Sequence, residues 1–211
     1  MSAAGPTLLE RAFANVEPPD DPASERILDA ALDLVAASGL RNLTMEGAAT
    51  RARVGRMTVY RRFGDREGLI DALAARESRR CLAELDRAVD PSLPASEGIA
   101  RGFVASLRLI RTHPLLHRFA HHEPEAALAA INADDAAILG MGRNFVAARL
   151  LDAQSRGELD PELDTTHAAE LVVRLGFSFL LMPESSLPLG DENAAADAAR
   201  ALIAPILLGR A

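Results

Sequence analysis

From Thr44 to Leu69 the chain reads TMEGAATRARVGRMTVYRRFGDREGL, two short helical patterns separated by a break, and that break constrains the fold more than any other feature. Thr44 is an N-cap residue, and Met45, Ala48, Ala49 and Ala52 follow at helical spacing, which gives the first helix a small-residue face. Arg53, Val54 and Gly55 interrupt the pattern. Val54 is the apolar residue such a corner buries, and Val59 and Phe63, four apart, give the second helix its inner stripe. The other faces of that helix therefore carry Arg56, Met57, Thr58, Tyr60 and Arg61. A third helix, capped by Asp65, follows. Helix, tight turn and basic helix together predict a helix-turn-helix that reads DNA.

Charge is segregated in the same way. Between Arg41 and Arg66 seven arginines face Glu46 and Asp65, a balance of 7 − 2 = +5, whereas the whole chain carries −7, leaving −7 − 5 = −12 elsewhere. A basic patch on an acidic chain is the footprint of a protein that binds a polyanion at one end.

The residues Ile27-Leu-Asp-Ala-Ala-Leu-Asp-Leu-Val35, Gly39, Leu43-Thr44, Ala48-Ala49, Ala52, Val54, Thr58-Val-Tyr-Arg-Arg-Phe-Gly64 and Glu67-Gly-Leu69 resemble the DNA-binding half of tetracycline-repressor (TetR) family regulators. The resemblance covers about residues 23 to 75. It implies that the second helix enters the major groove, that Thr44 and Arg66 meet phosphates at helix N-termini, and that Tyr60 leans on the DNA backbone. With Arg53, Arg56, Met57, Thr58 and Arg61, these are the expected DNA-binding residues. Three positions depart from the family pattern. Arg53 stands where glycine is usual in the turn, Gly55 where serine is usual, and Gly47 where an acidic residue would complete a capping box. A left-handed Arg53 costs on the order of 1 kcal/mol relative to glycine.

Apolar residues make up 49% of the 211, tryptophan is absent and alanine and leucine abound, which favours an all-α fold. All 23 basic residues are arginine, and the single Cys81 has no internal partner for a disulfide, as fits a reducing cytoplasm. No apolar stretch approaches the ~20 residues of a membrane helix, and the N-terminus lacks the pattern of a signal peptide. Residues 1–21, with three prolines and an acidic balance, read as a disordered arm.

Three regions result: that arm, a DNA-binding domain over residues 22–68, and a helical body over residues 69–211, with about nine helices in all. Asp21-Pro22 opens the first helix and Gly39 ends it. The helix behind Asp65 runs to about Ala88, and Asp90–Ser96 is a linker. Helices then pass through Ile99–Thr112, Pro114–His121, and Pro124 onward with a bend near Asp134. Gly157 ends that one. The last two start at Asp164 and about Asp191.

These last two helices are apolar on more than one side, so one core cannot bury every face and one is free for a partner. The family resemblance implies a four-helix homodimer interface here, with Leu171, Leu175, Phe179, Met182, Leu202, Ile203 and Ile206 as its residues. Two-fold symmetry then sets two reader helices about one duplex turn apart on a palindromic double-stranded operator. The resemblance also implies a body pocket for a small-molecule effector, walled by Phe103, Leu107, Leu116, Phe119, Met141, Phe145 and Phe177. Arg174, in a polar row with Glu170 and Ser178, either holds an effector carboxylate or makes an intrahelical ion pair.

Two other function classes have expectations of their own. His113, His117 and His121 are a possible metal set, which would make the chain a metal-responsive regulator or metal-binding module. A helical-bundle enzyme would need converging catalytic groups, and the sequence has no Glu-x-x-His pair, nucleophile elbow or phosphate loop. The expected protein is thus a regulator without catalytic residues, resident metal or cofactor. Effector, operator and the sign of regulation are open.

Overall fold

The computed structural model describes residues 21–132 and 137–208. The expected arm lies outside them apart from Asp21, as does the bend near Asp134.

Among the described residues the elements are all helical, and five of the helices start where an Asp or Thr side chain takes up free N–H groups. Helix α1 (Pro22–Ser38) begins at Asp21, whose carboxylate accepts from the N–H groups of Ala23 and Ser24. Gly39, at φ 91°, ends it and leads into a 3-10 turn, Leu40–Asn42. Helix α2 (Met45–Ala52) is capped by Thr44, and α3 (Arg56–Phe63) follows the turn. Asp65 caps the long α4 (Arg66–Ala88). The body adds α5 (Ala95–Thr112), α6 (Pro114–His121), α7 (Pro124–Asn132), α8 (Ala137–Ser155) and α9 (Thr165–Leu181). Helix α10 (Glu192–Ala198) passes through a π-helical turn (Ala199–Ile203) into α11 (Ala204–Leu208). Pro205 has no N–H and its ring crowds the preceding turn. The wider turn just before it, with the Ala204 N–H bonded to the Ala199 carbonyl, accommodates that.

Among the described residues, the turn between α2 and α3 is the one place where a non-glycine residue adopts positive φ. Arg53 sits at φ 55°, ψ 46°, its N–H bonded to the Thr50 carbonyl, while the Val54 N–H reaches Ala49. These two bonds make a Schellman closure, so the backbone keeps the family's turn without its glycine. The cost is the crowding of Cβ in the left-handed region. Arg53→Gly is therefore expected to stabilise the protein by about 1 kcal/mol, a rise in Tm of about 2–4 °C in thermal melting. No rise would mean that the Arg53 side chain recovers the strain through its own contacts.

Head and body share one apolar core. Ile27, Leu28, Val35, Leu43, Val59, Phe63, Leu69 and Leu73 pack in the same cluster as Leu115, Phe119, Ala127 and Leu180. Two polar ties reinforce the junction across α6. The Glu123 carboxylate accepts the Leu40 N–H at 3.0 Å, and the Arg118 guanidinium donates to the Ala36 carbonyl at 3.3 Å. Arg118 and Glu123 also pair with each other at 3.3 Å. Gly39 is needed where they meet, since a Cβ there would collide with the Glu123 carboxylate.

Candidate nucleic-acid interface and body cavities

Helix α3 turns Val59 and Phe63 into the core and holds Tyr60 half-buried against it. Arg56, Met57 and Arg61 then project outward, and Met57 is 76% exposed. An apolar side chain so placed suits contact with a thymine methyl, and an arginine suits guanine or phosphate. Thr58 is partly exposed, and Thr44 is occupied in part by capping, its Oγ1 accepting the Gly47 N–H at 3.0 Å. Arg53 is exposed at the corner.

Arg56 is already engaged. It pairs with Glu46 at 2.6 Å, bonds the Tyr60 hydroxyl at 3.4 Å and lies 5.3 Å from the centre of the Tyr60 ring. The Tyr60 hydrogen bond and the Glu46 charge push its pKa up further, so it stays charged. Both members of the Glu46 pair are well exposed, so the pair adds little stability and a phosphate or base can displace it. Glu46→Gln is expected to raise affinity for arbitrary duplex DNA about fivefold at low salt, and to steepen the salt dependence by about one ion. Fluorescence anisotropy over a salt series measures both. An unchanged affinity and slope would remove Arg56 from the interface.

Tertiary contacts engage several arginines of the patch. Arg66, expected at a phosphate, has its guanidinium engaged within the protein: it donates to the carbonyls of Leu43 (2.9 Å) and Leu40 (2.7 Å), the latter also accepting the Leu43 N–H. Arg62 is a brace, donating to Asp21 at 2.8 Å and to Ser24 at 3.0 Å across to α1. Its position three after Val59, on the inner side of α3, was the signal for that. Arg41, Arg51 and Arg62 pair with Glu125, Asp33 and Asp21, all outside the basic stretch, so the exposed excess of charge is smaller than +5.

Two cavities open in the body. The first, about 190 Å³, is lined by Phe103, Leu107, Phe145 and Phe179 among others. The second, about 260 Å³, is lined by Leu116, Phe119, Met141, Phe145 and Phe177 among others, and shares Leu85, Ser106, Ile110, Phe145, Val146, Val172 and Gly176 with the first. Arg174 lines neither. It is an exposed residue whose guanidinium pairs with Glu170 one turn back at 2.6 Å, the intrahelical alternative. Phe179 and Ile203, expected at a subunit interface, instead line the first cavity, with Phe179 edge-on to Phe103. Leu171, Met182, Leu202 and Ile206 are exposed, as is Leu175, which also borders the first cavity.

A buried polar cluster borders the larger cavity. Glu77 accepts from Arg76 Nε at 2.7 Å and from Arg80 at 3.3 Å through Oε1, and meets His113 Nε2 at 3.0 Å through Oε2. Burial pushes the Glu77 carboxyl up, but the His113 hydrogen bond and the two arginines outweigh it and hold it below its ordinary value. Arg76 also reaches Asp29 at 2.8 Å and Glu25 at 3.2 Å. His113 is held by Glu77, while His117 and His121 meet edge to face with 4.5 Å between ring centroids. The expected histidine trio does not converge, and among the described residues no three histidine, cysteine or acidic side chains are grouped to hold a metal.

A helix-turn-helix head fused to a helical body defines a DNA-binding transcriptional regulator. Residues 27–73 match the pattern of bacterial regulatory proteins of the tetR family. Over 166 residues the chain is 31% identical to the HTH-type transcriptional regulator Rv1255c of Mycobacterium tuberculosis, covering 76% of each. It is 27% identical over 198 residues to the HTH-type transcriptional regulator UidR of Escherichia coli, covering 92% of this chain and 97% of UidR. Salmonella enterica GusR has the same fold, with a TM-score of 0.65 at 20% identity over 90% of this chain and 97% of that one. The chain belongs to the TetR family of transcriptional regulators.

Proposed function

We propose that the protein is a ligand-responsive repressor that acts in the cytoplasm as a homodimer on a palindromic operator. Residues 22–68 read DNA, residues 69–211 bind a small-molecule effector and dimerise, and no catalysis is involved. The observation that carries this is the outer face of α3, where Arg56, Met57 and Arg61 stand exposed on a helix anchored by Val59 and Phe63. The effector has a physical route to that face. Phe119 lines the larger cavity on α6, and Arg118 on the same helix ties into the end of α1 with Glu123. An occupant that moves α6 therefore moves the head. It must bind one arrangement more tightly than the other, by several kcal/mol, to clear an operator.

The testing experiment is selection of bound sequences from random duplexes with the purified protein at two salt concentrations, because purely electrostatic binding survives only low salt. Enrichment of a palindrome whose half-sites lie about one turn apart is the expected result. No enrichment at either concentration sinks the reading.

A further inference from the structure

The two body cavities share part of their walls, and α9 shows where they meet. Leu175 and Phe179 line only the first cavity, and Val173, Phe177 and Leu180 line only the second. Val172 and Gly176, one turn apart and between those two sets on the helix, line both. The ridge of α9 that divides the cavities therefore lacks a side chain at Gly176. A Cβ placed there would meet no atom within 4 Å among the described residues. Glycine in a helix interior is unfavourable relative to alanine, and one common reason to find it there is a close approach of backbones. Gly142 of α8 fits that reason, since a Cβ there would come to 3.2 Å from Val173. Gly176 does not; its missing side chain leaves a gap between two cavities.

The two ends differ in polarity. Asp90 and Arg156 line the first cavity and are exposed, and Arg149 and Asp152 line it beside them, whereas none of the described residues lining the second is exposed. Two arginines against two aspartates give the charged end no preference of sign, so length of hydrocarbon is what the walls can select. We infer that the two cavities are one bent site for an unbranched, single-chain amphiphile of about 14 carbons, with its head beside Asp90 and Arg156 and its tail threaded past Gly176 into the larger cavity. The inference rests on the reading that the body takes a small-molecule effector. At the ~30 Å³ of a liquid water molecule, volumes of about 190 and 260 Å³ hold roughly six and nine non-hydrogen atoms. A chain of about eight carbons fits one cavity, and one of about fourteen needs both.

The test titrates the full chain calorimetrically with octanoate, dodecanoate and tetradecanoate, and with 1-octanol and 1-dodecanol as uncharged counterparts. Each added methylene buried should tighten binding about fourfold, so the 12-carbon probes are expected to bind at least about thirtyfold more tightly than the 8-carbon ones, one per chain. In Gly176→Leu, which fills the gap, the affinity is expected to level off at about eight carbons, and continued binding of octanoate shows that the larger cavity is intact. Should leucine abolish octanoate binding too, Gly176→Ala decides: its single methyl narrows the passage, and the 12- and 14-carbon probes must weaken at least about fivefold while octanoate holds. A wild type that gains nothing beyond eight carbons, or variants whose affinity climbs with length as before, overturns the inference. So does failure of both series in a preparation that still binds its selected duplex, a result that leaves the DNA-binding reading standing.

Discussion

Glutamate in place of Leu175 or Ile206 is expected to leave the helices folded, convert the protein to monomers and weaken operator binding at least about a hundredfold. Ile206 is 73% exposed, and with Leu171, Leu175, Met182 and Leu202 it forms an apolar surface from α9 and the α10–α11 segment. Val172, Gly176 and Phe179 of α9 line a cavity that Leu175 also borders, so the residues free for a partner are chiefly Leu171, Met182, Leu202 and Ile206. In the proposed homodimer a second copy of the same face covers this surface, and each large side chain buried there would contribute about 1.5–3 kcal/mol. A carboxylate at the centre loses that and adds a desolvation cost of several kcal/mol, so the dimer dissociation constant should rise about a thousandfold or more. Operator affinity falls with it because the second half-site no longer binds at high effective concentration. Light scattering together with circular dichroism checks the result. A variant still dimeric would move the interface to another surface.

Arg76→Met is expected to destabilise the fold by about 3 kcal/mol, lowering Tm by about 6–12 °C. Arg76 is 4% exposed and binds Glu77, Glu25 and Asp29, so its removal takes away a principal partner of a carboxylate that is itself buried. The pH dependence carries the same signature. Because Glu77 is held below its ordinary value of 4.5, the stability it contributes is fully present above that pH and is lost as pH falls through the lower folded-state value. Without Arg76 the folded-state value rises, and the acid-induced loss should begin at a higher pH. Thermal melts between pH 3 and 7 would show it. An unaltered acid limb with lowered Tm would mean that His113 and Arg80 suffice to keep Glu77 ionised.

The helical punctuation was legible in the sequence because capping is local. Asp21, Thr44, Asp65, Asp164 and Asp191 each accept from N–H groups two or three residues ahead, and each stands where a helix begins. The same holds for the inner stripe of α3 and for the family resemblance, which rest on spacing within a single turn or two. Arg53 also shows this locality, since its left-handed turn follows from two bonds inside the α2 terminus.

What each charged or aromatic side chain does was settled only by the tertiary structure, because the partners lie far along the chain. Arg62 meets Asp21 across 41 residues and Arg66 meets Leu43 across 23, so two of the arginines in the basic stretch became braces. Leu40 meets Glu123 across 83, a tie between head and body that no periodicity reveals. Phe103 and Phe119 look alike in sequence, yet they line different cavities, and Phe179 lines one where a partner surface was expected. Periodicity specifies that a face is apolar. Whether that face meets a core, a cavity or another molecule depends on how the other helices leave space around it.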